Sequence, residues 1–162
     1  MFRHVVLPPD IDGALYLHSM PGRYEPLSAS LAEIADKNVA AIICLTPLEE
    51  IEEKSPEYAA AIAAGTIPVE RVAMPIEDYG VPQDTAAFVA LMEDVAHRLQ
   101  AGENLLVHCA GGIGRTGTFA TGVLMALHVT LNDALDAVQM AGSEPETDKQ
   151  QELLVDIADR LN

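Results

Sequence analysis

Along the chain, short unbroken apolar runs alternate with segments whose apolar residues recur every three or four positions. The short runs are "ALYL" at 14–17, "VAAIICL" at 39–45, "VERVAM" at 69–74 and "NLLVH" at 104–108. A strand covered on both faces has no need of polar alternation, so 39–45 and 104–108 read as central strands of a parallel sheet. Between the third and fourth runs, residues 84–102 set Phe88, Leu91, Met92, Val95 and Leu99 at helical spacing, with Gly102 as the stop. Helices are also predicted over 27–37, 130–141 and 148–161, and "TGTFATGVLMALHV" opens another after the fourth run. The acidic stretch 47–58 reads most simply as a solvated surface helix or loop. Strands and helices in alternation define an α/β fold: a mainly parallel central sheet flanked by helices.

A length of 162 residues without repeat or linker fits a single domain over 1–162. With 49% apolar residues, 4% aromatic and no Trp, its core is aliphatic. The formal charge of −16, from 9 basic and 25 acidic residues, opposes nucleic-acid backbones and anionic lipid. Three apolar residues between His4 and Pro8 are too few for a signal-peptide core, and no run reaches the ~18 that a membrane helix needs. The expectation is a cytoplasmic monomer with neither nucleic-acid nor membrane partners. Cys44 and Cys109 are too few for a disulfide framework or a zinc site, so no metal or other cofactor is expected.

The fourth run leads into "VHCAGGIGRTGT" (107–118), where two phosphate-binding patterns overlap. Gly112, Gly114 and Gly117 spell a dinucleotide-binding G-x-G-x-x-G, whereas Cys109 and Arg115 spell a loop that wraps a phosphate around a thiolate. A dinucleotide fold places its glycines after the first strand, with an acid ending the second about 20 residues on. Here the loop follows the last predicted strand, and Asp133 and Asp136 fall in a helical segment. The glycine pattern also leaves His108, Cys109 and Arg115 without a role. The thiolate reading uses all three. From Asn104 to Asn132 there is no acidic residue, partly through burial, which leaves a positive island in a negative chain.

In that reading Ala110, Gly111, Gly112, Ile113 and Gly114 turn backbone N–H groups inward as a nest at a helix N-terminus. Arg115 grips two phosphate oxygens with its planar fork, and the same field favours a thiolate at Cys109. Thr116 donates to the sulfur, while His108 shapes the loop through its ring N–H. For a lone Cys or His at a strand end, inert burial is the ordinary expectation; the joint spacing overrides it.

"HCAGGIGRTG" resembles the H-C-x-x-G-x-x-R-[ST]-G signature of the cysteine-dependent protein tyrosine and dual-specificity phosphatases. "EDYGVP" (77–82) is similar to their general-acid loop, with Glu77 at the usual proline and Ile76 at the usual tryptophan. "ETDKQQELL" (146–154) and "SMPGRY" (19–24) resemble segments of the kinase-associated phosphatase, the former also of the phosphatases of regenerating liver. The resemblance implies a phosphocysteine intermediate and no cofactor. It makes Asp78 the general acid, with Glu77 as backup, and Tyr79 a wall for an aryl phosphate. Gln150 orients the hydrolytic water, and Cys44 either partners Cys109 in a redox pair or belongs to the core. A phenolate leaving group, whose conjugate acid titrates near about 10, independently requires such an acid. Lipid-directed members of the superfamily resemble this loop but carry lysines within it; residues 110–114 carry none, so the resemblance disfavours phosphoinositides. The expected substrate is a phosphorylated protein or peptide, with phosphotyrosine first; the alternative is a phosphate-binding module without turnover.

Overall fold

The computed structural model describes residues 1–161 as a five-stranded sheet with helices on both faces. In chain order these are β1 (Arg3–Val5), β2 (Leu15–His18), α1 (Leu27–Asp36), β3 (Val39–Cys44), α2 (Leu48–Lys54), α3 (Pro56–Ala64) and β4 (Glu70–Ala73). There follow α4 (Thr85–Gln100), β5 (Asn104–His108), α5 (Gly114–Ala126), α6 (Leu131–Met140) and α7 (Asp148–Leu161). The sheet order is β1-β2-β5-β3-β4, parallel except for β1, which runs antiparallel to β2. The two runs read as central are central, with β5 between β2 and β3.

Two features depart from the sequence reading. β1 is a three-residue edge strand, too short to show a period. The acidic stretch is not a merely solvated surface: it forms α2 and the start of α3, and Ile51 and Tyr58 are fully buried. Pro56 takes the first position of α3, where its missing N–H costs nothing, and so divides the two helices.

Side chains alternate cleanly across the sheet. Ala41, Ile43, Leu105, Val107 and Cys109 pack on the face shared with Phe88 of α4 and Phe119 of α5. Ile42, Cys44, Leu106 and Ala110 pack on the face covered by α1 and α3. α5 is buried along nearly its whole length. The acid-free stretch is therefore largely a core stretch, and burial explains most of its missing charge.

Candidate active site

At the C-terminal edge of the sheet, β5 delivers Cys109 into the loop 109–114, and α5 begins at Gly114. Cys109 is 2% exposed, and its sulfur accepts two donors, the Gly112 N–H at 3.2 Å and Thr116 Oγ1 at 3.0 Å. That is the environment a thiolate requires. Gly112 has φ +73°, and a Cβ there would lie 2.6 Å from the His18 carbonyl, so only glycine fits. The carbonyl of Gly112 accepts from Arg3 Nη2 at 2.6 Å and from Ser143 Oγ at 2.5 Å. Arg3 also binds the Ala141 carbonyl at 2.8 Å. β1 thus clamps the back of the loop. Burial pulls Arg3 below its ordinary pKa, and the nearby charge of Cys109 works against that shift.

His108 Nδ1 lies 3.1 Å from the Cys109 carbonyl. A carbonyl only accepts, so Nδ1 carries the proton and Nε2 accepts from Tyr58 Oη at 2.9 Å. Burial holds the Tyr58 hydroxyl above its usual range. Burial also pushes the Cys44 thiol up, and only a protonated His108, through its charge and hydrogen bonding, brings it below its ordinary value. In the strand register Cys44 stands opposite His108, one position short of Cys109. The two cysteines occupy opposite faces of the sheet and are both free, so the resting fold does not bring them together as a preformed pair.

Arg115 is 2% exposed at its side chain. Its Nη1 donates to Glu50 Oε1 at 3.0 Å and to the Ile76 carbonyl at 2.8 Å. Nη2 reaches Glu50 Oε2 at 2.9 Å and Asp78 Oδ1 at 3.2 Å. Nε is buried with no acceptor. Burial disfavours the guanidinium charge, but hydrogen bonds to Glu50 and the charge of Cys109 outweigh it and raise the pKa. Burial likewise works against the Glu50 carboxylate; hydrogen bonds from Arg115 and Lys54 prevail and hold it below the ordinary range. The fork is therefore aimed by a carboxylate that the sequence reading left on the surface.

A cavity of about 190 Å³ opens over Cys109, lined by Ala110, Gly111, Ile113, Gly114 and Arg115, and further by Asp78, Tyr79, Arg23, Lys54 and Glu146. Asp78 accepts from the Tyr79 N–H at 3.0 Å, and Tyr79 has φ +61°, uncommon for a residue with a side chain. Glu77 is exposed and lies outside the cavity lining. Gln150 is fully buried and also lies outside it. Its Oε1 accepts from the Glu146 N–H at 2.7 Å, and its Nε2 donates to the Gly80 carbonyl at 3.1 Å. Its side chain thus ties the Glu146 backbone to Gly80 at the end of the acid loop. Of the three loop glycines read as nest formers, only Gly112 has positive φ; Gly111 faces open space, and Gly114 is packed by the Glu146 carboxylate. Glu50, Tyr58, Arg3 and Ser143 escaped the sequence reading, because each joins the site only through tertiary contact. A larger cavity of about 350 Å³ near Leu131, Leu135, Leu154 and Val155 has no thiol, hydroxyl or imidazole in its lining.

A buried thiol at a strand end, a helix-borne arginine and a carboxylate paired with it thus line one cavity, the arrangement of the dual-specificity phosphatase class. The chain belongs to the Swiss Army Knife DSP-PTPase phosphatase domain family, whose model matches residues 13–156. It is 36% identical over 80 residues to the tyrosine-protein phosphatase corkscrew of Drosophila melanogaster, covering 45% of this chain and 8% of that protein. The kinase associated phosphatase, solved with its catalytic-site cysteine replaced by serine, superposes with a TM-score of 0.83 at 21% identity, over 99% of this chain and 95% of that one. PTPMT1 in complex with PI(5)P gives 0.71 at 20% identity over 91% of each chain. The fold is that of dual-specificity phosphatases. Among the described residues, no helix is long and apolar enough to cross a membrane.

Proposed function

We propose that this domain hydrolyses phosphotyrosine in proteins through a phosphocysteine intermediate, acting as a monomer in the cytoplasm. The observation that carries this reading is the Arg115 Nε–H, buried without an acceptor beside a sulfur that two donors already address. A phosphoryl oxygen supplies the missing acceptor while its phosphorus meets Cys109. The thiolate attacks phosphorus; the S–P bond forms as the ester P–O bond breaks, and Asp78 gives its proton to the departing oxygen. Water then attacks the phosphocysteine and loses a proton to the Asp78 carboxylate. The P–S bond breaks, and the sulfide returns to its donors Thr116 and Gly112. Arg115 and the loop N–H groups hold the equatorial oxygens throughout. Gln150 serves as a positioning residue that holds the Gly80 end of the acid loop.

The test is turnover of p-nitrophenyl phosphate and of phosphotyrosine, phosphoserine and phosphothreonine peptides. Cys109→Ser is expected to abolish hydrolysis and keep phosphate affinity. Arg115→Ala should lose affinity and at least roughly 10²-fold in rate. Near-normal kcat in Cys109→Ser would exclude the covalent route. A second reading draws on Asp78, whose Oδ1 is engaged by both Arg115 and the Tyr79 N–H: a phosphate-binding module in which the acid is never released. Binding without turnover in the same assay would establish it.

A further inference from the structure

Three of the nine basic residues, Arg23, Lys54 and Arg115, line one small cavity in a chain whose formal charge is −16. Arg115 belongs to the phosphate loop. Arg23 and Lys54 come from elsewhere: the connection between β2 and α1, and the last residue of α2. Of the six other basic residues, three sit in surface ion pairs among the described residues: Lys37 with Glu33, Arg98 with Glu70 and Arg160 with Asp156. Arg23 has none among the described residues and donates no side-chain hydrogen bond; its guanidinium lies 4.6 Å over the Tyr24 ring.

That placement is rigid. The Met20 N–H donates to the Ala110 carbonyl at 3.1 Å, tying the Arg23 segment to the phosphate loop. Ser55 Oγ donates to the Pro21 carbonyl at 2.8 Å, and Gly22, at φ +80°, packs against the same hydroxyl. His18 and Glu25 close the segment with a 2.8 Å contact. Ser55 directly follows Lys54, so one hydroxyl brings both cations to the same wall. Lys54 is tied to the catalytic centre as well: its Nζ lies 3.1 Å from Glu50 Oε2, the oxygen that Arg115 Nη2 approaches at 2.9 Å. Asp78 and Glu146 line the cavity too, but Asp78 is paired with Arg115 and Glu146 packs on Gly114.

We propose that Arg23 and Lys54 form a second anion subsite, which takes a phosphate or carboxylate carried by the substrate next to the phosphate held at Cys109 and Arg115. This rests on the phosphate-loop reading above and specifies its substrate as doubly anionic. The specificity therefore lies outside residues 110–114, the segment whose lack of lysine spoke against polyphosphorylated substrates. Two sources present the same chemistry: an acidic or phosphorylated side chain flanking phosphotyrosine, and a small bisphosphate.

Calorimetric titration of the intact protein with methylphosphonate and with methylenediphosphonate, neither of which is hydrolysed, decides the subsite without relying on turnover. The diphosphonate is expected to bind about three- to tenfold more tightly, by the worth of one or two partly screened charge pairs. That advantage should shrink toward one in Arg23→Ala, in Lys54→Met and in 0.5 M salt. Equal affinities in the wild type, or an advantage unchanged in both variants, would overturn the subsite. The source follows from kcat/KM for two substrate pairs: phosphotyrosine peptides with Asp or Asn beside the phosphotyrosine, and a polyol bisphosphate against its monophosphate. The pair whose ratio exceeds one, through KM, and collapses in Arg23→Ala names the source. Ratios of one in both pairs, with hydrolysis intact, would reject the subsite as a substrate site. Failure of hydrolysis with the diphosphonate preference retained would reject only the catalytic reading.

Discussion

Each side chain at this site is aimed by another that the mechanism does not consume. Asp78 is reached by Arg115 and a backbone N–H, so its replacement separates acid chemistry from loop geometry. Asp78→Asn is expected to lower kcat on phosphotyrosine by roughly 10²–10⁴-fold. The loss should be much smaller on an aryl phosphate whose leaving group needs no proton, and the basic limb of the pH profile should flatten. Equal losses on both substrates would assign Asp78 to structure. Glu77→Gln, exposed and outside the cavity, is the control. Glu50 makes the opposite kind of prediction. Its carboxyl titrates below the ordinary 4.5, so the stability it contributes is fully present above that value and disappears as pH falls through the lower folded-state value. Glu50→Gln should lower stability by about 1–3 kcal/mol near neutral pH, the worth of hydrogen bonds between charged groups. Melting curves of variant and wild type should converge well below pH 4.5. A difference that persisted there would place its origin outside the Glu50–Arg115 pair.

Among the elements, the phosphate loop is set between a strand edge and a helix start, and its curvature depends on Gly112. Gly112→Ala places a Cβ against the His18 carbonyl and the Arg3 guanidinium at a φ that alanine resists. Turnover should fall to background and phosphate affinity should be lost, with both readable by titration and assay. β3 and β5 also decide what Cys44 can do. Neighbouring strands bring the two backbones within bridging range, but alternation sends Cys44 and Cys109 to opposite faces. We propose that Cys44 traps oxidised Cys109 only when the loop 109–114 opens. Peroxide first converts the Cys109 thiolate to a sulfenic acid, and the Cys44 thiol then condenses with it, releasing water and forming the disulfide. A 44–109 linked peptide should accumulate more slowly than activity is lost, and faster in mild denaturant. Rescue by dithiothreitol that is equal in wild type and Cys44→Ser, with no linked peptide, would leave Cys44 to the core. The misreading of 47–58 has its reason at this level too. Five glutamates in twelve residues look solvated, yet one turn of α2 points Glu50 inward while Glu49, Glu52 and Glu53 face out.

Across the whole molecule, α4 and α5 meet through Phe88 and Phe119, edge to face at 5.3 Å and fully buried. With only three phenylalanines in the chain, this contact has few substitutes. Phe119→Ala is expected to cost about 3–5 kcal/mol and to lower Tm by roughly 10 °C. The folded fraction should keep its kcat, because Phe119 lies in the sheet–helix core, away from the cavity lining. A large loss of kcat at unchanged Tm would show that α5 transmits packing to the loop. The same global view shows how a strongly acidic chain can still present positive charge at one point: three of its nine basic residues, Arg23, Lys54 and Arg115, line the cavity over Cys109.

The sequence by itself determined the parallel sheet, its central strands and the Cys109–Arg115 loop, because those depend on local period and on residues fixed within a few positions of one another. Asp78 was legible only through the resemblance of 77–82 to a general-acid loop, since an Asp two residues before Gly reads by itself as a turn. Only the tertiary structure decided that Glu50 orients Arg115, that Arg3 and Ser143 hold Gly112, that Gln150 faces the acid loop, and that Arg23 and Lys54 share its cavity. Each of these is a contact between segments far apart in the chain, set by strand order and helix docking, and no pattern along a single segment encodes which distant side chain a strand edge will meet.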